Sequence, residues 1–311
     1  MMMTILLTSV MMLNCAPLAG VATETAQRDF NERDEFNQTY QLAPGTRVEI
    51  SSIRGPVEIT NADVATAEVR IIRTARTRAD LEYHKIEVEQ TGNRLVVRGE
   101  QERDSRSERN VQVNHRVILK LPRNIDLSVS SVSGSLKAGD VNGQTHVSSI
   151  SGSANIGNVG GKLQVSSISG SLDVGNVGAE ARVTSISGNL TVGNVGADAR
   201  VTSISGNLRV GQVNGSLDVS SVSGGLNATL ASLSPQGIQI KSVSGSVELG
   251  FTSEVNADFN AEHISGEVYF DVPNVTRDNE SKSSNVRARI GAGGTPITIS
   301  SVSGNIRLTR S

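Results

Sequence analysis

The sequence predicts an all-β fold: a parallel β-solenoid, or β-helix, of 18-residue two-strand coils, preceded by a smaller antiparallel β region. Three observations predict it. Glycine closes a Ser-Ile/Val-Ser-Gly segment at 134, 152, 170, 188, 206 and 224, five equal steps of 18 residues. Each 18-residue unit divides into two related nines with apolar or small residues at matching offsets. The composition is biased, with 31 Gly, 3% aromatic residues and no Trp among 311 residues. An irregular globular core draws much of its buried area from aromatic rings, whereas a stacked repeat does not need them.

In chain order, the first element is a leader. Ile5 to Leu13 is apolar apart from Thr8 and Ser9, and that is too short to cross a bilayer as a helix. Small residues follow, and Gly20-Val21-Ala22 offers a peptidase site, so residues 1–22 read as a secretory signal peptide. No Lys or Arg precedes the apolar run, which departs from the usual pattern. Cys15 is the sole cysteine, so no disulfide can form within the chain. Leu13-Asn14-Cys15-Ala16 places it where a bacterial lipoprotein carries its lipidated cysteine, which would give the chain a lipid anchor. Asn14 is larger than the residue that usually stands there, and in the other reading Cys15 is discarded with the leader. Residues 23–40 form a linker, and the mature chain has no transmembrane span.

Residues 41–125 read as an N-terminal β region. Thr46 to Ile59 fits the coil template and makes a first coil. Alternating apolar runs come next at Ala67 to Ile72, Ile86 to Val88, Leu95 to Val97 and Val111 to Leu121, expected as antiparallel strands that cap the open end of the solenoid. A short helix is expected near Ala79 to Tyr83. The charged run Gln101 to Asn110 reads as an exposed loop.

Residues 126–311 are the solenoid. Strand alternation is expected to point Ile168, Gly170, Leu172 and Val174 inward along one strand, and Val177, Ala179, Ala181 and Val183 along the next. Turns are then expected at Gly175-Asn176 and Thr184-Ser185, the first with good turn chemistry. Glycine at mid-strand, opposite Gly or Ala nine residues on, predicts two sheets pinched together at the centre. The glycine series continues at 245 and 266, 21 residues apart, and ends at 304. Val286 to Gly291 fits the same strand with Val in the glycine slot, which predicts ten successive coils and a rod of about 48 Å.

Outward positions are Ser, Thr, Asn, Gln and scattered charge. Net charge is −2, from 29 basic and 31 acidic residues, with no basic stripe, so no nucleic-acid partner is expected. The four histidines, His84, His115, His146 and His263, lie far apart on different templates, and no metal ligand set is assigned. The nine-residue unit lacks the Gly-Gly-x-Gly-x-Asp of calcium-binding β-rolls. There is no Gly-x-Ser-x-Gly elbow, and glycine-rich turns lead into strands rather than into the helix of a phosphate loop. No catalytic or cofactor-binding residue is assigned, no cofactor is expected, and the chain is read as not an enzyme. Regular Thr-x-Thr rows, which an ice-binding face would show, are missing; Thr184 and Thr202 make one short column.

The opening Arg47-Val-Glu-Ile-Ser-Ser-Ile-Arg-Gly55, the strand end Leu119-Lys-Leu-Pro122 and the run of Ser-Val/Ile-Ser-Gly-x-Leu coils resemble the bacterial family labelled putative adhesin (DUF4097), over roughly residues 40 to 311. The resemblance implies a cell-envelope location and a right-handed parallel β-helix, in line with the handedness of parallel crossovers. It supplies no catalytic or ligand residues. The functional expectation is an exported cell-envelope protein of the periplasm, outer membrane or cell surface. It would act as a non-catalytic, adhesin-like module binding a glycan or an envelope or surface protein through repetitive polar faces. The alternatives are a periplasmic structural or envelope-stress scaffold and, less favoured, a carbohydrate-active β-helix enzyme.

Overall fold

The computed structural model describes residues 32–101, 113–278 and 284–310. Apart from one short helix, Arg78–Tyr83, they form two long sheets of 13 and 14 strands, with mostly parallel pairing. The leader, Cys15 and the charged run after Gln101 lie outside the described residues.

One repeat shows how the sequence builds a coil. The strand Ala181–Ser187 lies in the 14-stranded sheet and Leu190–Val192 in the 13-stranded one. Each pairs in parallel with the residue 18 positions on, so Val183 stacks on Val201 and Leu190 on Leu208. A third contact closes the coil, a parallel bridge through Val141, Val159, Val177, Val195 and Val213. Ala181, Val183, Leu190, Val192 and Val195 are all buried. They belong to one apolar cluster running without a break from Leu42 to Leu308. Burial contributes roughly 1.5–3 kcal/mol per large aliphatic side chain, and the columns repeat it coil after coil.

The corner after Val192 and its equivalents are held by side-chain oxygens of Asp and Asn. The Asn158 N–H donates to Asp140 Oδ1 at 2.8 Å, and the Asn176, Asn194 and Gln212 N–H groups each donate to the Asn Oδ1 one coil earlier at 2.9 Å. A turn leaves a backbone donor without a ladder partner, and the carboxamide of the preceding coil supplies one. The Gly175-Asn176 turn therefore stands where the sequence places it.

Three expectations about the glycines and the order of the coils need correction. First, glycine is not at mid-strand. Gly188 has φ +125° and lies at the corner between Ser187 and Leu190, and a Cβ there would stand 2.1 Å from the Gly170 carbonyl oxygen. The residue is glycine because the backbone is left-handed and the preceding coil approaches its α-carbon, not because two sheets pinch. Second, Val286 to Gly291 is not a coil. Asn285–Ile290 runs antiparallel to Ala257–Ser265, and the glycine turn at Gly291 to Gly294 after it leads into Thr295–Ser303 of the same sheet rather than across to the other one. Third, coil order is not chain order. Thr295–Ser303 lies between Ile238–Ser244 and Ala257–Ser265, so the Gly304 coil is inserted between those of Gly245 and Gly266.

The N-terminal end is also interleaved. The first coil, Thr46–Arg54 and Val57–Ala62, lies between Ile125–Ser133 and Leu136–Ala138 on one side and Arg94–Gln101 and Val113–Pro122 on the other, all parallel. Antiparallel strands then finish both sheets: His84–Thr91 beside Arg94–Gln101, and Thr66–Ala75 with Glu32–Gln41 beside Val113–Pro122. Arg94–Gln101 and Val113–Pro122, expected to pair only antiparallel, thus mark the change from one mode to the other.

Candidate interaction surface

The site is set by strand parity. Beyond Val183, alternation continues as far as Ile186, so Ser185 points inward and Ile186 outward, and Ser187 before the glycine corner is exposed as well. The expected turn at Thr184-Ser185 does not exist. A left-handed corner needs glycine, and the strand continues until it reaches Gly188. Ser185, Ser203, Ser221, Ser242 and Ser301 are buried under the corner, and the Oγ atoms of Ser203 and Ser221 have no hydrogen-bond partner.

The branched aliphatic column is the counterpart. Ile186, Ile204, Val222, Val243 and Val302 are 42–48% exposed, and they sit on consecutive coils of the long-stranded sheet. The expectation that this column fills the core is overturned for these five. The first coil differs. Ser52 has φ +59°, the pairing with Ile125–Ser133 shifts by a bulge, and Ile53 turns inward to full burial. A bulge inserts one residue and so reverses the facing of the residues beyond it.

Beside the ladder runs an open groove of about 760 Å³, lined by Thr202, Ile204, Val222, Val243 and Val302, with Lys241 and Glu262 at its rim. The neighbouring outward column is Thr184, Thr202 and Ser220, and the one beyond is Arg182, Arg200 and Asp218. Charges there are paired among themselves: Arg182 with Glu180 at 3.1 Å and Arg200 with Asp218 at 2.9 Å. Exposed pairs of this kind contribute about 0–1 kcal/mol each; they keep the face soluble and leave little unpaired charge for a ligand.

Two further grooves carry charged side chains. One of about 300 Å³ lies near Arg47, His146, Lys162 and Glu180, with Lys162 paired to Glu180 at 3.7 Å. The other, about 540 Å³, lies at the C-terminal end near Asp258, Arg277 and Arg289, with Arg289 paired to Asp258 at 3.5 Å. Arg277 also donates to the Val268 carbonyl at 3.2 Å and lies 5.2 Å from the Phe270 ring centre.

Among the described residues no group of three His, Cys, Asp or Glu side chains is placed to hold a metal ion. The histidines fall on four separate strands, and His115 is buried. The perturbed carboxylates are structural. The Ser216 N–H and hydroxyl hold the Asp198 carboxyl below its usual pKa, and the Arg94 guanidinium does the same for Glu49. No helix among the described residues is long and apolar enough to cross a membrane.

Fold and face define the class: a β-solenoid repeat protein with one exposed aliphatic ladder. The chain belongs to the Toastrack DUF4097 family, whose profile matches residues 46–309. No curated protein matches it. Among solved structures it is similar to a putative adhesin from Bacteroides fragilis NCTC 9343, at 12% identity over 88% of this chain and 97% of that one, with a TM-score of 0.44. It is also similar to a putative lipid binding protein from Parabacteroides distasonis ATCC 8503, at 13% identity over 88% and 96%, TM-score 0.36. A putative cell adhesion protein from Clostridium sporogenes ATCC 15579 is 12% identical over 90% and 100%, TM-score 0.25.

Proposed function

We propose that this chain is an exported, non-catalytic interaction module of the bacterial cell envelope, adhesin-like in that it binds through a repeated outer face and transforms nothing. The observation that carries the proposal is the ladder. Eight large hydrophobic side chains are exposed among the described residues, and five of them form a single row. Scattered exposed apolar side chains need no explanation, whereas a contiguous apolar patch rimmed by polar residues marks a binding surface. Arg182, Arg200, Lys162 and Arg289 are spent on internal pairs, which favours binding over turnover. With this reading goes a right-handed winding of 18-residue coils, the hand that parallel crossovers prefer.

Protease shaving of intact source cells, with a periplasmic protein as control, tests the location. Cleavage of this chain while the control survives places the face outside the cell, and binding of wild-type and Ile204→Glu protein to cells then reads the ladder directly. Protection until the outer membrane is permeabilised removes the adhesin-like reading and leaves the periplasmic scaffold.

A further inference from the structure

We propose that the ladder face binds a single-tailed zwitterionic phospholipid, its acyl chain laid along the aliphatic row and its head group held between Lys241 and Glu262; this rests on the reading of that face as the binding surface. The argument begins with width. Ile186, Ile204, Val222, Val243 and Val302 form one column, one side chain per strand. On one side of it the strands end at the glycine corner, and on the other runs the column of Thr184, Thr202, Ser220, Lys241, Ser300 and Glu262. The apolar strip is therefore one side chain wide, with about 6.7 Å to the next column. Its length is four strand steps of about 4.8 Å, or about 19 Å. An acyl chain in one leaflet spans about 15 Å, half of a bilayer core, so the row takes such a chain end to end. Broader occupants fit less well. A helix is about 10–12 Å across with its side chains and would press its apolar stripe onto the hydroxyl and charged column as well. A peptide strand laid flat on the face meets no sheet edge there, and its own backbone groups would be covered without partners.

Charge selects the head group. Among the described residues Lys241 and Glu262 have no ion-pair partner, whereas Lys162, Arg182 and Arg200 on the same sheet face are paired. Lys241 and Glu262 stand two strands apart, on either side of Ser300, beside the end of the row that holds Val243 and Val302. Ser284 and Asn285 border the groove beyond Glu262. An ammonium and a carboxylate separated by a hydroxyl match a ligand that carries an anion and a cation on one short linker. Phosphoethanolamine is such a head. Its phosphate accepts hydrogen bonds from the Lys241 ammonium and the Ser300 hydroxyl, and its ammonium donates to the Glu262 carboxylate, all charge-assisted contacts. A fatty acid or an anionic lipid would leave Glu262 facing negative charge. With the head there, the tail runs from Val302 and Val243 over Val222 towards Ile204 and Ile186.

The test is isothermal titration calorimetry of the full-length chain with palmitoyl lysophosphatidylethanolamine below its micelle concentration. Palmitoyl glycerol, with the same tail and an uncharged head, is titrated beside it. Wild type and Asn155→Glu, on the outer side of the other sheet, should bind the phospholipid equally, and palmitoyl glycerol roughly tenfold or more weakly for want of the charge-assisted contacts. Val222→Glu should weaken phospholipid binding roughly tenfold or more with an unchanged unfolding midpoint, because it sets a charge in the path of the tail. Val222→Ser/Val243→Ser reads the same row without a new charge and should also weaken binding. Lys241→Gln/Glu262→Gln should bind the two lipids equally. A wild type that does not bind the phospholipid, that binds both lipids alike, or that is matched by the Val222 variants overturns the proposal. If the phospholipid does not bind while Ile204→Glu still loses binding to cells, the lipid alone falls, and the face takes a protein partner or a second copy instead. If neither assay responds to the ladder, the reading of that face as the binding surface falls with it.

Discussion

Gly224 and Gly225 are neighbours, and alanine should act on them in opposite directions. Gly224 has φ +122°, and a Cβ there would stand 2.1 Å from the Gly206 carbonyl oxygen and 2.7 Å from its carbon. These are backbone atoms of a paired coil, so no rotamer change removes the overlap. A residue held in a glycine-only region costs about 1–3 kcal/mol, and the overlap adds to it by forcing the coils apart, so Gly224→Ala should cost about 3 kcal/mol or more. At Gly225 the backbone is not left-handed, and a Cβ would meet Asn207 Oδ1 at 3.5 Å and the Ser246 oxygen at 3.8 Å, ordinary contacts. Gly225→Ala should therefore stabilise by about 0.4–1 kcal/mol, through loss of freedom in the unfolded chain. At about 2–4 °C per kcal/mol for a large domain, thermal unfolding followed by circular dichroism should fall by about 6–12 °C for the first and rise by about 1–3 °C for the second. Equal shifts at the two positions would refute the corner geometry. So would a tolerated Gly224→Ala combined with a damaging Gly225→Ala, which is the pattern a mid-strand glycine one residue further on would give.

Three further outcomes are expected from the same geometry. Ser203→Ala should raise the unfolding midpoint by about 2 °C, because it removes a buried hydroxyl without a partner, at a desolvation cost of about 1 kcal/mol; a fall would mean that the hydroxyl is bonded. Ending the chain after Gly294 deletes two strands from inside the stack, Thr295–Ser303 and Ile306–Arg310. Hydrogen exchange should then lose protection in Ala257–Ser265 and Asn285–Ile290 while 125–230 keeps it; loss confined to the vicinity of the cut would refute the interleaved order. On the acid side, Asp198 and Glu49 have folded pKa values below the ordinary 3.8 and 4.5. A lowered folded pKa means a contribution that is whole above those ordinary values and is lost as pH falls through the depressed ones. Stability should decline below about pH 4, and Asp198→Asn should shallow that decline; a variant with an unchanged acid limb would remove Asp198 from the cause.

The periodicity carried most of the coil. The Val183, Leu190, Val192, Val195 and Ala181 columns are read correctly from alternation, because a wrong facing at any of them would leave the same side chain in water on every coil. It failed between Val183 and Gly188, where hydrophobicity and backbone geometry disagree. Ile186 is the more apolar residue, so placing it inside and Ser185 at a turn looks economical. The stronger constraint was the glycine, which fixes the corner through φ and so lets the strand and its alternation continue past Thr184-Ser185. Coil order at the ends was illegible for another reason. Parallel pairing tolerates crossovers of many lengths, so spacing does not say which coil a strand joins. One signal did exist. The step from Gly266 to Gly304 is 38 residues, room enough for the antiparallel pair Val275–Arg277 and Asn285–Ile290 and for a return past them.

Interleaving and the composition of the edge strands address the same physical problem. A stack of parallel strands ends in unpaired backbone groups, which invite another chain to add on and extend the rod. Here the outermost described strands discourage such growth. His84–Thr91 carries Lys85, Glu87 and Glu89, and Glu32–Gln41 begins Glu-Arg-Asp-Glu. At the other end Val275–Arg277 is only three residues long, and the Arg277 side chain occupies the Val268 carbonyl of the adjacent edge. Because both terminal coils are held between neighbours rather than left outermost, fraying at either end must also break pairs inside the stack. The apolar surface that remains is on the side of the rod, not at its ends.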